Sequence, residues 1–319
     1  MMSYFTLLKT SGWDGYELID SGEQKRLERY GKYRLIRPDP DAIWRRTDVN
    51  EWANADAVFV DDKGNPHWEH GAQMPENWLI KYKTLTLQAR LTPFKHTGIF
   101  PEQQVNWDFL SSVIANGAKP RTVRYMAKRS LKIALSVASG DTPRNDNLPN
   151  VLNLFGYTGA ASLVCAAVGA KVTHVDASKP AISWARENQK LSGLLDKPIR
   201  WIMDDAIKFV TREVRRGVKY DGIIMDPPVY GHGPGGEVWD FHKSFPELIS
   251  LCPQVLSPQP LFFIVNAYAI SSSALMLKNV LSDYLLDFGG TCEFGEITLE
   301  EKIGKRLLST GIFVRWSFS

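Results

Sequence analysis

Apolar runs alternate with helical patterns along the chain from Asn150 onward. The apolar runs predict buried strands at residues 151–155, 171–175, 199–202, 221–225 and 261–266. The helical patterns that separate and follow these runs cover residues 160–168, 180–191, 207–215, 245–255 and 271–286. Strands that alternate with helices are typical of βαβ units, so we expect an α/β domain with a parallel sheet.

Two strand-like segments, residues 291–299 and 307–316, follow near the end of the chain. The connection between them is too short for a crossover helix, so we expect these two strands to pair antiparallel.

The first hundred residues have a different pattern. Short strand-like pieces at 33–36, 57–60 and 79–87 lie among aromatic and turn-forming residues, which predicts a small β-rich N-terminal domain. Residues 108–139 have a helical pattern, and residues 140–149 form a polar segment rich in turn formers. We therefore expect a β-rich domain at 1–92 that contacts substrate or RNA, a connector at 93–149 and a catalytic domain at 150–319.

The composition of the 319 residues, 44% hydrophobic and 23% charged, is that of an ordinary globular protein. No run reaches the ~18 apolar residues of a membrane span and no leader pattern is present, so we expect a soluble cytoplasmic protein. The three cysteines are isolated, which argues against a disulfide framework or a metal cluster. The net charge of +3 is too small to indicate nucleic acid by itself.

The segment F-G-Y-T-G, which contains Gly156 and Gly159, joins the first predicted strand to a helix. Such a turn brings backbone close to a ligand at the sheet edge, although a tight structural turn explains the glycines equally well. The next strand ends at Asp176, about twenty residues later, where an acid can accept hydrogen bonds from ribose hydroxyls. Asp176 and Ser178 are also in the right place to cap the following helix.

The glycine turn lacks the middle glycine of G-x-G-x-x-G, which favours a ligand without a pyrophosphate over a dinucleotide. Asp204 and Asp205 follow the third strand, where they would read an adenine amino group or cap a helix. The fourth strand ends in Asp226, Pro227 and Pro228. Consecutive prolines fix the backbone and leave carbonyl oxygens free to accept from a substrate amino group.

These motifs, in this order, resemble motifs I to IV of class I S-adenosylmethionine-dependent methyltransferases (EC 2.1.1). More narrowly they resemble the group of large-subunit ribosomal RNA methyltransferases that modify cytosine C5. Residues 92–103 are similar to that group's hairpin, which folds over the methionine part of the cofactor, and the resemblance covers residues 85–319. It implies a Rossmann-like seven-stranded sheet in the order 3-2-1-4-5-7-6, with strand 7 antiparallel.

Carried over to this sequence, the resemblance implies a cofactor site and a catalytic site. The predicted residues for S-adenosylmethionine are Lys95, Thr97, Gln103, Phe155, Gly156, Tyr157, Thr158, Gly159, Asp176, Ala177, Ser178, Asp204, Asp205, Ala206 and Asp226. The predicted catalytic residues are Asp226, Pro227, Pro228 and Tyr230. No metal site is predicted, because the H-x-x-H pattern of His67 and His70 has no third ligand.

The cysteine that C5 methylation requires is missing. Related enzymes place this thiol after the fifth strand or after the fourth motif, where this chain has Ala267 and Val229. We therefore expect methyl transfer to a base in RNA, with ribosomal RNA as the expected substrate and a nitrogen atom as the favoured acceptor. Two alternatives stay open: a methyltransferase acting on a small molecule or protein, and a cofactor-binding or RNA-binding assembly factor without catalysis.

Two basic groups are candidate phosphate contacts. Arg121, Arg124, Lys128 and Lys132 have helical spacing and form one stripe. The N-terminal region adds a second set, Lys25, Arg26, Arg29, Lys32, Arg34 and Arg37. A solvated helix face explains the stripe equally well, and the nearby acids Glu23, Glu28, Asp39 and Asp41 dilute the second set.

Overall fold

The computed structural model describes residues 2–62, 64–117 and 148–318. In its N-terminal part the elements are β1 (Met2–Thr10), β2 (Tyr16–Gly22), β3 (Lys25–Tyr30), β4 (Tyr33–Pro38), α1 (Val49–Trp52), β5 (Ala57–Asp62), β6 (Asn65–His70), β7 (Asn77–Tyr82) and β8 (Leu85–Arg90). A 3-10 turn at Pro101–Gln103 leads into α2 (Gln104–Gly117). Strands β2 to β6 form one sheet, and β7 and β8 form a separate hairpin.

The C-terminal part alternates strands and helices as expected. Its elements are β9 (Asn150–Leu154), α3 (Ala160–Ala167), β10 (Lys171–Asp176), α4 (Lys179–Leu191), β11 (Ile199–Met203), α5 (Ala206–Arg215), β12 (Gly222–Met225), β13 (Tyr230–His232), β14 (Val238–Asp240), α6 (Phe241–Leu251), β15 (Phe262–Ala267), α7 (Ala274–Leu285), β16 (Thr291–Glu300) and β17 (Leu307–Ser317). Further 3-10 turns lie at Cys252–Val255 and Leu286–Phe288.

The large sheet has the order β11-β10-β9-β12-β15-β17-β16-β1. Its first seven strands reproduce the expected order 3-2-1-4-5-7-6, and β17 is antiparallel to both of its neighbours. The predicted α/β class and strand order are therefore confirmed.

The eighth strand was not predicted. β1 joins the edge of the large sheet parallel to β16, with Phe5 opposite Phe294. The partners lie almost the whole chain apart, so no local pattern reveals the pairing.

Two predicted elements need correction. The strand expected at 79–87 is broken by a turn at Lys83, whose φ is +50°, and becomes the hairpin of β7 and β8. The helix expected at 245–255 begins earlier, at Phe241, because the side chain of Asp240 accepts from the backbone N–H of Lys243 at 3.3 Å. Its last four residues form a 3-10 turn instead of α-helix. Apolar and polar residues alternate in 79–87 on both sides of the turn at Lys83, so this pattern alone does not show the break.

Helices cover both faces of the large sheet. Successive residues of β9 point to opposite faces, so Val151 packs in the core that contains Leu163 of α3, whereas Leu152 packs with Phe245 of α6. The first of these cores continues into the N-terminal sheets, where the ring of Trp107 lies 5.0 Å from that of Tyr82. No helix in the described ranges is long and apolar enough to cross a membrane.

Candidate active site

A cavity of about 680 Å³ lies at the carboxyl-terminal edge of the parallel strands. The residues that follow β9, β10, β11, β12 and β15 all line it, because the carboxyl ends of parallel strands meet at one edge. Of the predicted site residues, the cavity-lining ones are Gln103, Phe155, Gly156, Tyr157, Thr158, Asp176, Ala177, Ser178, Asp204, Asp205, Ala206, Asp226, Pro227 and Pro228.

The turn after β9 holds two non-glycine residues in the left-handed region. Phe155 has a φ of +55° and Tyr157 a φ of +50°, a strained conformation that is concentrated at functional sites. Gly156 lies between them, and a Cβ there would approach Cε1 of buried His174 to 2.3 Å. The packing against His174 therefore requires glycine at this position, and Gly156 itself lines the cavity. A contact of this turn with the methionine part of the cofactor stays a prediction.

The carboxylate of Asp176 organises the neighbouring turns. Its Oδ2 accepts from the backbone N–H of Tyr157 at 2.8 Å, and its Oδ1 accepts from that of Ser178 at 2.8 Å. Burial raises the pKa of Asp176. Ser178 in turn caps α4 by accepting from the N–H of Ala181. Each carboxylate oxygen keeps a second lone pair, so the same group can accept ribose hydroxyls.

The two acids after β11 are both engaged locally. Asp205 caps α5 by accepting from the N–H of Lys208 at 2.9 Å, as one of its two interpretations predicted. Asp204 forms an ion pair with Arg212. Both acids also line the cavity, together with Ala206. The contact with adenine stays a prediction.

Asp226 lies half-buried in the cavity wall at the end of β12. Burial, and secondly the negative charge of Glu102, raise its pKa to about 7. Nε2 of Gln103 donates to its Oδ2 at 3.4 Å. The carbonyl of Pro228 is already occupied, since it accepts from Nε1 of Trp239 at 2.7 Å. Asp226 is therefore an acid whose charge is adjustable near neutral pH.

A polar network that was not predicted from the sequence lies beside Asp226. Nδ2 of Asn106 donates to Oε1 of Gln103 and to Oδ1 of Asn266, each at 2.9 Å. Nδ2 of Asn266 donates to the same Gln103 oxygen at 3.1 Å. Asn266 was visible as a polar residue at the end of a strand, but no local signal marked Asn106.

The hairpin expected at 92–103 is not formed, because residues 91–100 contain no strand and Pro101–Gln103 form a 3-10 turn. The hairpin of β7 and β8 lies just before this segment. Lys95, Thr97 and Gly159 do not line the cavity. The carbonyl of Lys95 accepts from Nη1 of Arg37 at 3.1 Å, and the fully buried Thr97 accepts from the N–H of Arg90 through its carbonyl. These two residues anchor the loop. Analogy with the related motif had placed them against the cofactor.

Neighbouring residues of the same loop do reach the cavity. Oγ1 of Thr158 donates to the carbonyl of Gly98 at 2.6 Å, which holds the loop against the glycine turn. His96 lines the cavity, and its pKa is lowered to about 4 by burial and then by Arg37 and Lys95. Its imidazole is therefore neutral at physiological pH.

Aromatic rings form much of the wall. Phe155 lies 4.7 Å from Trp239, Phe100 lies 5.6 Å from Tyr157, and His96 lies 6.4 Å from Tyr268, measured between ring centroids. Tyr230, a predicted catalytic residue, is 57% exposed on β13 and does not line the cavity. His232, two residues further on, does line it.

None of the three cysteines of the chain lines the cavity. Cys165, Cys252 and Cys292 are all buried, and burial raises the pKa of each thiol, that of Cys292 to about 11. Val229 and Ala267 line the cavity at the two positions where related enzymes place the thiol. A reactive thiolate is therefore absent from this cavity.

The structure describes only one of the two predicted basic groups. Arg121, Arg124, Lys128 and Lys132 lie outside the described residues. In the N-terminal group, Arg26 and Arg37 are buried and pair with buried Glu28, so they cannot form an RNA surface. Arg29 and Arg34 also pair with acids. The sequence of this segment does not show which of these basic side chains point into the interior of the protein.

A possible metal-ligand group occurs on the hairpin of β5 and β6. The ligand atoms of Asp62, His67 and Glu69 lie within 4.8 Å of one another. His70 of the H-x-x-H pattern is not part of this group. Both acids are exposed, and the group lies away from the residues that line the cavity.

The strand order, the glycine turn and the acid after the second strand define a class I methyltransferase fold. A SAM-dependent methyltransferase from Agrobacterium tumefaciens is similar in structure to this chain, with a TM-score of 0.87 and 39% sequence identity. The match covers 100% of this chain and 95% of that chain. The chain therefore belongs to the SAM-dependent methyltransferases, and the predicted cofactor, S-adenosylmethionine, is confirmed.

More distant solved structures share the fold. One from Streptococcus mutans is 18% identical with a TM-score of 0.68, and a second, complexed with SAH, is 19% identical with a TM-score of 0.66. Each match covers 96% of this chain and 76% of the other chain. No family model matches the sequence.

Curated relatives match shorter stretches. Ribosomal RNA large subunit methyltransferase K/L of Shewanella frigidimarina is 38% identical over 111 residues, which are 34% of this chain and 15% of that protein. Ribosomal RNA large subunit methyltransferase I of Aeromonas salmonicida is 28% identical over 185 residues, which are 58% of this chain and 44% of that protein. The chain thus spans less than half the length of both relatives.

Proposed function

We propose that the protein is a methyltransferase of class EC 2.1.1 that methylates a nitrogen atom of a base in large-subunit ribosomal RNA. The names of the relatives from Shewanella frigidimarina and Aeromonas salmonicida support RNA as the substrate. The cavity supports the choice of acceptor atom.

The observation that carries the nitrogen assignment is the cavity without a thiol. Methylation of cytosine C5 needs a thiolate that adds to C6 and makes C5 nucleophilic. Val229 and Ala267 occupy the corresponding places, and the three cysteines are buried elsewhere. A nitrogen atom has its own lone pair and needs no covalent activation.

The residues around the glycine turn fit the cofactor. Phe155, Gly156 and Tyr157 would hold its methionine part and Asp176 its ribose, with Asp205 and Ala206 at the adenine. When bound, S-adenosylmethionine supplies an electrophilic methyl group. The task of the protein is then to align an acceptor lone pair with that group.

Asp226 is suited to hold an amino group of the base. Its carboxylate would accept a hydrogen bond from the amino N–H, as would the carbonyl oxygen of Pro227. Once the nitrogen becomes methylated, its surplus proton passes to a carboxylate oxygen of Asp226. A carboxyl group with a pKa of about 7 can both accept and release that proton at physiological pH.

A base must leave its stack to reach this cavity. Tyr268 lines the wall and Tyr230 is exposed on β13, which follows the Asp-Pro-Pro motif. Either ring would stack on a flipped base. A neutral His96 beside Tyr268 adds a second flat surface.

The test is a map of modified nucleotides. Ribosomal RNA from cells with and without the protein is digested and compared by mass spectrometry. We expect one N-methylated base to be lost from the null strain and restored by the wild-type gene but not by Asp226→Ala. Identical maps from the two strains would contradict the proposal.

A further inference from the structure

Two carboxyl groups face the same cavity without a cation of their own. Glu102, in the 3-10 turn before α2, and Asp226, after β12, both line it. Glu102 is 5% exposed, and its buried Oε2 has no hydrogen-bond partner. Among the described residues, neither acid lies in a salt bridge, and the side-chain contact of Asp226 is with the neutral amide of Gln103.

The nearest cations are already neutralised. Arg37 donates to Glu28 at 2.6 Å, and Arg26 lies 3.3 Å from Glu28 and 3.5 Å from Asp39. These arginines lower the pKa of Glu102, but burial outweighs them and the pKa is raised. His96 is neutral. Glu102 is buried, Asp226 is half-buried in the wall of the same cavity, and Gln103, the neighbour of Glu102 in the chain, donates to Asp226. Negative charge on one acid disfavours ionisation of the other, so in the free protein the pair retains part of a proton near neutral pH.

We propose that Glu102 and Asp226 act as one acidic pair that releases a proton when the positively charged cofactor enters the cavity. S-adenosylmethionine carries a sulfonium charge that S-adenosylhomocysteine lacks. A positive charge beside the pair favours its doubly ionised form. The net charge of the pair therefore follows the charge of the molecule beside it.

This exchange also prepares Asp226 for the reaction. After the proton has left, Asp226 is a free carboxylate that can accept from the acceptor base. When the methyl group has been transferred and the sulfonium charge is gone, the pair takes up the proton that the acceptor nitrogen gives off. This last step rests on the proposed nitrogen acceptor, whereas the proton release does not.

The release can be measured without RNA. Cofactor binding is followed by titration calorimetry at pH 7 in phosphate and in Tris, whose ionisation enthalpies differ, so that the difference in heat counts the protons released. We expect the wild-type protein to release a fraction of a proton, up to about half, with S-adenosylmethionine, and clearly less with S-adenosylhomocysteine. Sinefungin, with an amine in place of the methylsulfonium, should behave like S-adenosylmethionine.

Substitutions test whether the released proton comes from Glu102 and Asp226. Glu102→Gln keeps the shape of the side chain but removes one acid, and with it the smaller of the two causes that raise the pKa of Asp226, so the release should fall clearly below that of the wild type. Asp226→Asn should have the same effect, and the matched control Glu247→Gln, on the exposed face of α6, should release as much as the wild type. Circular dichroism and binding of S-adenosylhomocysteine show that each variant is folded.

Three results would overturn the inference: no proton release by the wild type, equal release with both cofactor forms, or full release by Glu102→Gln. Because no RNA is present, none of these results depends on the identity of the substrate. A failure to methylate RNA would count against the proposed function but would not contradict the proton release measured on cofactor binding.

Discussion

The backbone N–H of Tyr157 donates to Oδ2 of Asp176 at 2.8 Å, so the glycine turn after β9 is fixed to the end of β10. The second oxygen of the same carboxylate holds Ser178 at the start of α4. One side chain thus shapes two of the turns that form the cavity. Its removal should affect both the proposed contact with the cofactor ribose and the shape of the turn that lines the cavity.

Asp176→Ala should therefore weaken S-adenosylmethionine binding by ~1–3 kcal/mol, or about 5- to 150-fold, because charge-assisted hydrogen bonds are lost. Asp176→Asn retains one carbonyl acceptor and should have a smaller effect. Titration calorimetry measures both, with the exposed Asp196→Ala as the control that stays at wild-type affinity. An unchanged affinity in Asp176→Ala would remove this residue from the site.

Asp226→Asn should slow methyl transfer strongly while RNA affinity stays nearly constant, because the acceptor loses its positioning partner and its proton acceptor. Single-turnover rates and filter binding separate the two quantities. In the wild type the rate at subsaturating S-adenosylmethionine, which reports the free enzyme, should rise with pH through about 7 and then level off, since the ionised carboxylate is the active form. A parallel loss of rate and affinity would show that Asp226 serves binding alone.

The same substitution should stabilise the fold at alkaline pH. The pKa of Asp226 is raised from 3.8 to about 7 in the folded protein. Between these values the folded state binds a proton that the unfolded state has released, so stability falls as pH rises through this window. Asp226→Asn has no carboxyl group to ionise. Its free energy of unfolding should therefore exceed that of the wild type by about 1–3 kcal/mol at pH 8 and by less at pH 5. Urea unfolding at both pH values gives the comparison, and an equal effect at both would refute the raised pKa.

RNA that carries 5-fluorocytosine traps C5 methyltransferases, because fluorine cannot leave as a proton. Here we expect no adduct that survives denaturing electrophoresis, since the thiols of Cys165, Cys252 and Cys292 are buried outside the cavity. A cytosine C5 enzyme serves as the positive control. An adduct lost only in Cys292→Ser would show that this thiol reacts and would overturn the nitrogen assignment.

Local sequence signals predicted the parts of the site that lie at strand ends. F-G-Y-T-G, Asp176 and the Asp-Pro-Pro motif each follow an apolar run, and parallel strands bring their ends together. These features need only the order of elements along the chain.

Features made by contacts between distant segments were not predictable in this way. The pairing of β1 with β16, and the hydrogen bonds that join Asn106, Gln103 and Asn266, depend on the completed fold. Arg37 was counted among the candidate phosphate contacts because the sequence does not show that its side chain is buried against Glu28 of the neighbouring strand. Lys95 and Thr97 were assigned by analogy, and the loop that carries them has a different conformation.

The most direct test of the account is transfer of a labelled methyl group from S-adenosylmethionine to isolated large-subunit ribosomal RNA from cells that lack the protein. We expect the wild-type protein to label one base of this RNA at a nitrogen, with no label on RNA from wild-type cells, where the position is already methylated. Asp226→Asn should transfer far less. Label that enters protein or small molecules from the same cells but not RNA would contradict the account.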